Sequence, residues 1–127
     1  MYPFRKLHVW TRATSLAAAV LRLTPPSADR RVEFLKEQLW RASSSIGANI
    51  AEGAGHDSHA QFARYLGIAI GSANEVESHL CLAIESRLLD PAECERLADE
   101  ARQVRSMLWV LREKVRSDPR RRLRPKE

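Results

Sequence analysis

Two carboxylate–imidazole pairs are the strongest candidates in this chain for metal binding or acid–base catalysis. Glu52 and His56 are four residues apart, as are Glu75 and His79, so each pair shares a face where its segment is helical. Such a pair can supply two zinc ligands, but a zinc site needs further ligands, which the sequence does not identify. A di-iron bundle site would use Glu-x-x-His motifs, and the sequence contains none.

No nucleophile or phosphate loop has a recognisable catalytic setting. Ser43-Ser44-Ser45 lies in helical sequence and not in a strand-turn-helix elbow. Gly53-Ala54-Gly55 lacks the Lys and the preceding strand of a phosphate-binding loop. Cys81 and Cys94 have no metal-like spacing, so reduced thiols are expected. We therefore expect no enzymatic activity and no cofactor, with a metal-binding bundle enzyme kept as an alternative.

Small and polar residues replace leucine in two helical segments, residues 45–53 and 71–77. Helix-interior glycine costs about 1 kcal/mol relative to alanine, so the glycines suggest close approach of two backbones. Such glycines are Gly47 and Gly71 within these segments, and Gly67 four residues before the second segment. The polar residues that we expect to cluster between the second and third helices are Asn49, Glu52, Ser72 and Glu75. The favoured interpretation of this cluster is helix packing.

The elements that position these residues are predicted to be four helices. The first is predicted over residues 5–23, before the break at Pro25-Pro26. The N-caps predicted for the other three are Asp29, Ser58 and Asp90. The residues of the second helix predicted to face inward are Val32, Leu35, Leu39, Ala42, Ile46 and Asn49. Apolar spacings of three and four residues and short connections predict an all-α, antiparallel up-down-up-down four-helix bundle over residues 1–116.

The charge of the chain is unevenly distributed. The 127 residues carry a net charge of +5, but residues 51–100 hold three basic and ten acidic side chains. Residues 116–127 hold six basic and two acidic side chains, and residues 117–127 are predicted to be a basic, disordered tail. The predicted nucleic-acid-binding residues are Arg116, Arg120, Arg121, Arg122, Arg124 and Lys126. The alternative is that the tail only keeps the protein soluble.

Several large apolar residues fall outside the predicted helix seams. One bundle of this size cannot easily bury all of them, and tryptophan is favoured in subunit interfaces. We therefore predict self-association. The predicted interface residues are Trp10, Trp40, Tyr65 and Trp109.

Three segments resemble one known family. They are residues 4–10, FRKLHVW, residues 45–53, SIGANIAEG, and residues 62–77, FARYLGIAIGSANEVE. They resemble the four-helix-bundle family of 23S ribosomal-RNA intervening-sequence proteins, and the resemblance extends over residues 4–116. It implies a small bacterial, cytosolic protein. It also implies kinship with the accessory variability protein of diversity-generating retroelements, which forms a pentameric barrel.

The resemblance carries expectations about partners. It implies a homopentamer, with RNA or DNA and a reverse transcriptase as further partners. His56 stands where the family usually has a basic residue, and Ile70 replaces a frequent arginine, so fixed positive charge is lost from the bundle at both positions.

Two further expectations concern location and function. The first residues lack the apolar core of a signal peptide, and no apolar run approaches about 20 residues, so we expect a cytoplasmic protein without membrane contact. The favoured function is a non-enzymatic, nucleic-acid-binding scaffold. A protein-binding adaptor is the alternative from another class.

Overall fold

Four α-helices make up most of the computed structural model, which describes residues 2–23 and 26–117. They are α1 His8–Leu21, α2 Arg30–Ala54, α3 His59–Ser86 and α4 Pro91–Ser117. These two ranges contain no strand, so the predicted all-α class is confirmed. No helix within the described part is long and apolar enough to cross a bilayer.

The three predicted N-caps are confirmed. In each case a side-chain oxygen accepts a hydrogen bond from a first-turn amide that has no partner within the helix. The pairs are Asp29 with Arg31, Ser58 with Gln61 and Asp90 with Glu93, at 2.9, 3.1 and 2.9 Å. Local sequence therefore determines where α2, α3 and α4 begin.

The first helix begins later than predicted. Phe4–Lys6 forms a single 3-10 turn, and Leu7 then takes an extended conformation with φ −83° and ψ 122°. This kink directs the Leu7 side chain into the core, where it is completely buried. α1 also ends at Leu21, two residues before the predicted end.

The helices form a closed, antiparallel square in which each packs against two neighbours. The close pairs are α1–α2, α2–α3, α3–α4 and α1–α4. Contacts between early α3 and late α2, and between early α3 and late α4, show that these neighbours run in opposite directions. The core is a continuous set of leucine, isoleucine, valine and alanine side chains. The predicted four-helix bundle is therefore confirmed for the single chain.

One predicted core position is wrong. Asn49 is only half-buried, and its neighbour Ile50 is completely buried instead. The stripe of α2 shifts by one residue here because an apolar side chain gains more from the dry interior than an amide does.

One end of the bundle gathers the start of α1, the end of α2, the start of α3 and the end of α4. The amide of Tyr2 donates a hydrogen bond to the carbonyl of Ala54 at 2.6 Å, which holds the first residues beside the end of α2. His8 and Lys114 line the same groove, which places the end of α4 beside the start of α1.

Candidate functional site

A small polar network joins α2 to α3. The hydroxyls of Ser45 and Ser72 share a hydrogen bond of 2.7 Å. Asn49 donates to the carbonyl oxygen of Ser45 at 2.8 Å and to its hydroxyl at 3.0 Å. The structure therefore brings Asn49 and Ser72 together through Ser45, which was not among the residues predicted for this cluster. Hydroxyl and amide satisfy one another, so the arrangement fits helix packing.

Glu52 and Glu75 do not join this network, so their predicted place in it is corrected. Their side chains are 61% and 57% exposed, and each lies near the histidine one turn later, His56 at 3.8 Å and His79 at 3.5 Å. A carboxylate buried beside the serines would lose its hydration without gaining a cation, so solvent is the more favourable environment.

The two carboxylate–imidazole pairs gain no further metal ligand from the described residues. Across residues 2–23 and 26–117, no group of three or more His, Cys, Asp or Glu side chains is placed to hold a metal ion. The nearest approach to such a site is therefore a pair of neighbouring side chains on one helix.

Two of the four predicted interface residues are largely packed within the subunit. Trp10 packs edge to face on Phe4, with ring centroids 5.0 Å apart, and is half-buried. Tyr65 is also half-buried and stacks on His56 at 5.2 Å. Both side chains therefore have partners inside a single chain.

The other two predicted interface residues are open to solvent. Trp40 is 39% exposed and Trp109 is 53% exposed. Sequence reasoning missed two further exposed apolar residues, Phe34 at 58% and Val110 at 54%. Their positions outside the apolar seams could have identified them. Self-association through these residues stays a prediction.

Arg116 is the one predicted nucleic-acid-binding residue that lies within the described residues. It is in the last turn of α4, with a side chain 53% exposed and 3.8 Å from the carboxylate of Glu113. At this distance and exposure the ion pair is weak. The other five, Arg120, Arg121, Arg122, Arg124 and Lys126, lie outside the described residues, as does the predicted tail beyond Ser117.

Arg116 shares a groove with two arginines that sequence reasoning did not single out. The groove, of about 560 Å³, lies between the start of α3 and the end of α4, and Arg64 and Arg112 also line it. None of the described residues lining it is acidic. We call Arg64, Arg112, Lys114 and Arg116 the basic end of the bundle.

Arginines elsewhere on α4 are neutralised by acidic neighbours. Arg102 and Arg105 both donate to the carboxylate of Glu77, at 2.9 and 2.7 Å. The hydrogen bond from Arg102 makes the largest contribution to lowering the pKa of Glu77, and the bond from Arg105 adds to it. Partial burial of Glu77 opposes this shift. Arg96 pairs with Glu93 at 2.9 Å. Within residues 2–23 and 26–117, the basic side chains of α4 that have no acidic partner within 4 Å are therefore Arg112 and Lys114, both at the basic end.

The fold is similar to one found in a crystal structure from Bacteroides thetaiotaomicron. That protein is described as having unknown function and as belonging to the S23 ribosomal protein family. The two sequences are 24% identical, the match covers 83% of this chain and 98% of the other, and the TM-score is 0.71. This likeness concerns the fold alone.

No curated protein matches the chain. The family model described as 23S rRNA-intervening sequence protein matches residues 5–110, which include all of α1, α2 and α3 and most of α4. The segments that carried the resemblance in the sequence lie almost entirely within this match. The chain belongs to the family of 23S rRNA-intervening sequence proteins.

Proposed function

We propose that this protein is a self-associating, non-enzymatic helical scaffold that binds nucleic acid through the basic end of its bundle and the basic residues that follow. The observation that carries the proposal is the location of the groove shared by Arg64, Arg112 and Arg116. It lies where α4 ends, and five more basic residues follow in the sequence after Ser117. In the sequence, the basic residues of the tail therefore directly follow the helix that ends at this groove.

Such an arrangement suits a partner with closely repeated negative charge. Each arginine or lysine that neutralises a phosphate releases a condensed counterion, so affinity falls steeply as salt rises. An assembly of several copies would present several basic ends at once, which raises avidity without base-specific contacts. We place this function in the cytoplasm, with RNA or DNA as the ligand.

A filter-binding titration with a structured RNA and a DNA duplex, at two salt concentrations, tests the proposal. We expect retention of at least one polyanion at low salt, with a linear fall of log affinity against log salt. Replacing Arg120, Arg121, Arg122 and Arg124 by glutamine should reduce the magnitude of that slope by about three to four. Failure of the unmodified protein to retain either polyanion at low salt would remove nucleic acid from the proposed function.

A protein-binding adaptor is the second candidate, and one observation favours it. An apolar groove of about 390 Å³ lies between α2 and α3, with Phe34, Leu82 and Leu88 among its lining residues. Phe34 and Leu82 are 58% and 49% exposed. An adaptor that uses this groove should lose its protein partner on Phe34→Ser, a change that leaves the basic end intact.

A further inference from the structure

Arginines recur along the side of α4 that faces α3, but the residues of α3 that lie opposite them differ. Arg102 and Arg105 meet the carboxylate of Glu77, and Arg105 also donates to the amide oxygen of Asn74 at 2.7 Å. The first two arginines of this row are therefore neutralised and hydrogen-bonded within the subunit.

At the next arginine of the row, α3 presents a glycine instead of an acid. A β-carbon on Gly67 would lie 3.4 Å from Nε and 3.7 Å from Nη2 of Arg112. The guanidinium therefore lies close against the backbone of α3. Its Nε is buried and has no hydrogen-bond partner within the described part of the chain. A ligand cannot reach the buried Nε, but the terminal nitrogens Nη1 and Nη2 make no hydrogen bond or ion pair with any other described residue and remain available to one.

The groove around Arg112 is positively charged on both walls. Arg64 comes from the second turn of α3 and Arg116 from the last turn of α4. The first turn of α3 also borders the groove, and the positive end of a helix dipole favours anions. The volume of the groove, about 560 Å³, exceeds that of a single phosphate group.

We infer that this groove holds phosphates of the nucleic-acid backbone, with Arg112 at its centre and Arg64 and Arg116 on its walls. This inference rests on the proposed function and narrows the basic end to one groove, with the phosphate groups as the part of the nucleic acid that the groove binds. Arginine is suited to the role because its planar fork binds phosphate oxygens in pairs. The ligand class is the phosphodiester chain, independent of base sequence.

The sharpest test introduces a carboxylate into the groove without removing an arginine. Ala60 lines the groove, is exposed and occupies the second position of α3; Ala92 is exposed and occupies the second position of α4, at the opposite end of the bundle. Ala60→Glu and Ala92→Glu therefore change the net charge equally and place the acid at the same favourable helix position.

We expect Ala60→Glu to weaken binding of a labelled RNA duplex by the full chain about tenfold at low salt. Ala92→Glu should change the affinity less than twofold. Circular dichroism melting should show both variants folded. Equal effects of the two substitutions would overturn the inference, because long-range charge alone would then account for the loss.

A second pair of variants removes the arginines themselves. Arg64→Gln combined with Arg112→Gln should lower the slope of log affinity against log salt by about two. Arg22→Gln combined with Arg30→Gln removes two exposed charges at the opposite end and should leave the slope near that of the unmodified protein. An unchanged slope in the groove variant would also overturn the inference.

Competition experiments distinguish nucleic acid from other acidic polymers as the ligand. Together with the variants, they also distinguish failure of the groove inference from failure of the proposed function. Polyglutamate at equal charge concentration should displace the RNA poorly, and efficient displacement would show a general acidic-polymer site instead. If the unmodified protein binds RNA but the groove variants bind equally well, the inference fails and the tail carries the function. If the unmodified protein binds no polyanion, the proposed function fails together with the inference.

Discussion

Gly53 is a position where α2 and α3 approach closely. A β-carbon there would lie 2.7 Å from the β-carbon of Tyr65 and 3.1 Å from Cδ1 of Phe62. The β-carbon of Tyr65 is fixed to the backbone of α3, so only a movement of the helices could relieve the clash. Gly71 is the opposite case, because a β-carbon there would meet nothing within 4 Å.

This contrast gives a paired expectation for stability. Gly53→Ala should lower the free energy of unfolding by about 1–3 kcal/mol, since overpacking outweighs the better helix propensity of alanine. Gly71→Ala, the matched control, should raise it by about 0.5–1 kcal/mol, since propensity acts there without a clash. Urea unfolding followed by circular dichroism measures both. Stabilisation by Gly53→Ala would contradict the packing described for this position.

Residue types alone predicted part of the polar network. The sequence identified Asn49 and Ser72, but Glu52 and Glu75 lie in solvent, and Ser45 supplies the link instead. Spacing specifies which residues share a helix face. Spacing does not specify whether a carboxylate faces a basic side chain across the contact between α2 and α3, because that depends on the sequence and orientation of the neighbouring helix.

At the scale of elements, Glu77 connects α3 to α4 by accepting hydrogen bonds from Arg102 and Arg105. Its side chain is only 22% exposed, so the interaction is less screened than a surface ion pair. The pKa of Glu77 is lowered by these two guanidinium groups. The unfolded chain therefore binds a proton at Glu77 more readily than the folded one does.

We expect Glu77→Gln to destabilise the bundle by about 1–3 kcal/mol at pH 7, because two charged hydrogen bonds are weakened. The contribution of Glu77 is fully present above the ordinary glutamate pKa of about 4.3 and is lost as pH falls through the lowered value. The difference between variant and unmodified protein should therefore shrink below about pH 4. Chemical unfolding at several pH values measures it.

Glu75→Gln is the matched control for this substitution. Glu75 lies two residues away on the same helix, and its side chain is 57% exposed. Its replacement should change stability at pH 7 by less than about 0.5 kcal/mol. Equal losses for Glu75→Gln and Glu77→Gln would indicate a general charge effect and not a specific α3–α4 link.

Helix boundaries were predictable where a local signal sets them. Asp29, Ser58 and Asp90 cap their helices because the side chain and the first-turn amide are neighbours in sequence. The start of α1 was not predictable in this way. The extended conformation of Leu7 goes with complete burial against other helices, and that packing exists only in the folded bundle.

At the scale of the whole molecule, apolar surface remains after the bundle has closed. Leu21, Trp109 and Val110 are each more than half exposed, at 55%, 53% and 54%. The last two are adjacent on α4. Single exposed apolar residues are ordinary, but a tryptophan beside a valine is a candidate centre for an interface between copies.

We expect Trp109→Ser to weaken self-association about thirtyfold, since truncation of a central interface tryptophan costs about 2 kcal/mol or more. Leu21→Ser is the control, because Leu21 is equally exposed but outside the predicted interface set. Native mass spectrometry and sedimentation over a micromolar concentration range measure the assembly. A persistent monomer of the unmodified protein would contradict the interface assigned to Trp40 and Trp109.

The sequence alone predicted surplus apolar residues but could not place them. Trp10 and Tyr65 make ring contacts with Phe4 and His56, whereas Trp109 makes no ring contact with another described residue and is 53% exposed. Each residue lies off the seam of its own helix. Which of them face a neighbouring helix depends on how the four helices rotate against one another.

The bond between Tyr2 and Ala54 has a practical consequence for anyone who labels or fuses this protein. An even number of alternating helices returns the polypeptide to the end where it started, so Tyr2 and Ser117 leave the bundle on the same side. A tag fused directly before Tyr2 or directly after Ser117 would therefore start from the end of the bundle that carries the arginine groove. The turn between α3 and α4, at the far side, is the better place to attach a dye or a surface anchor.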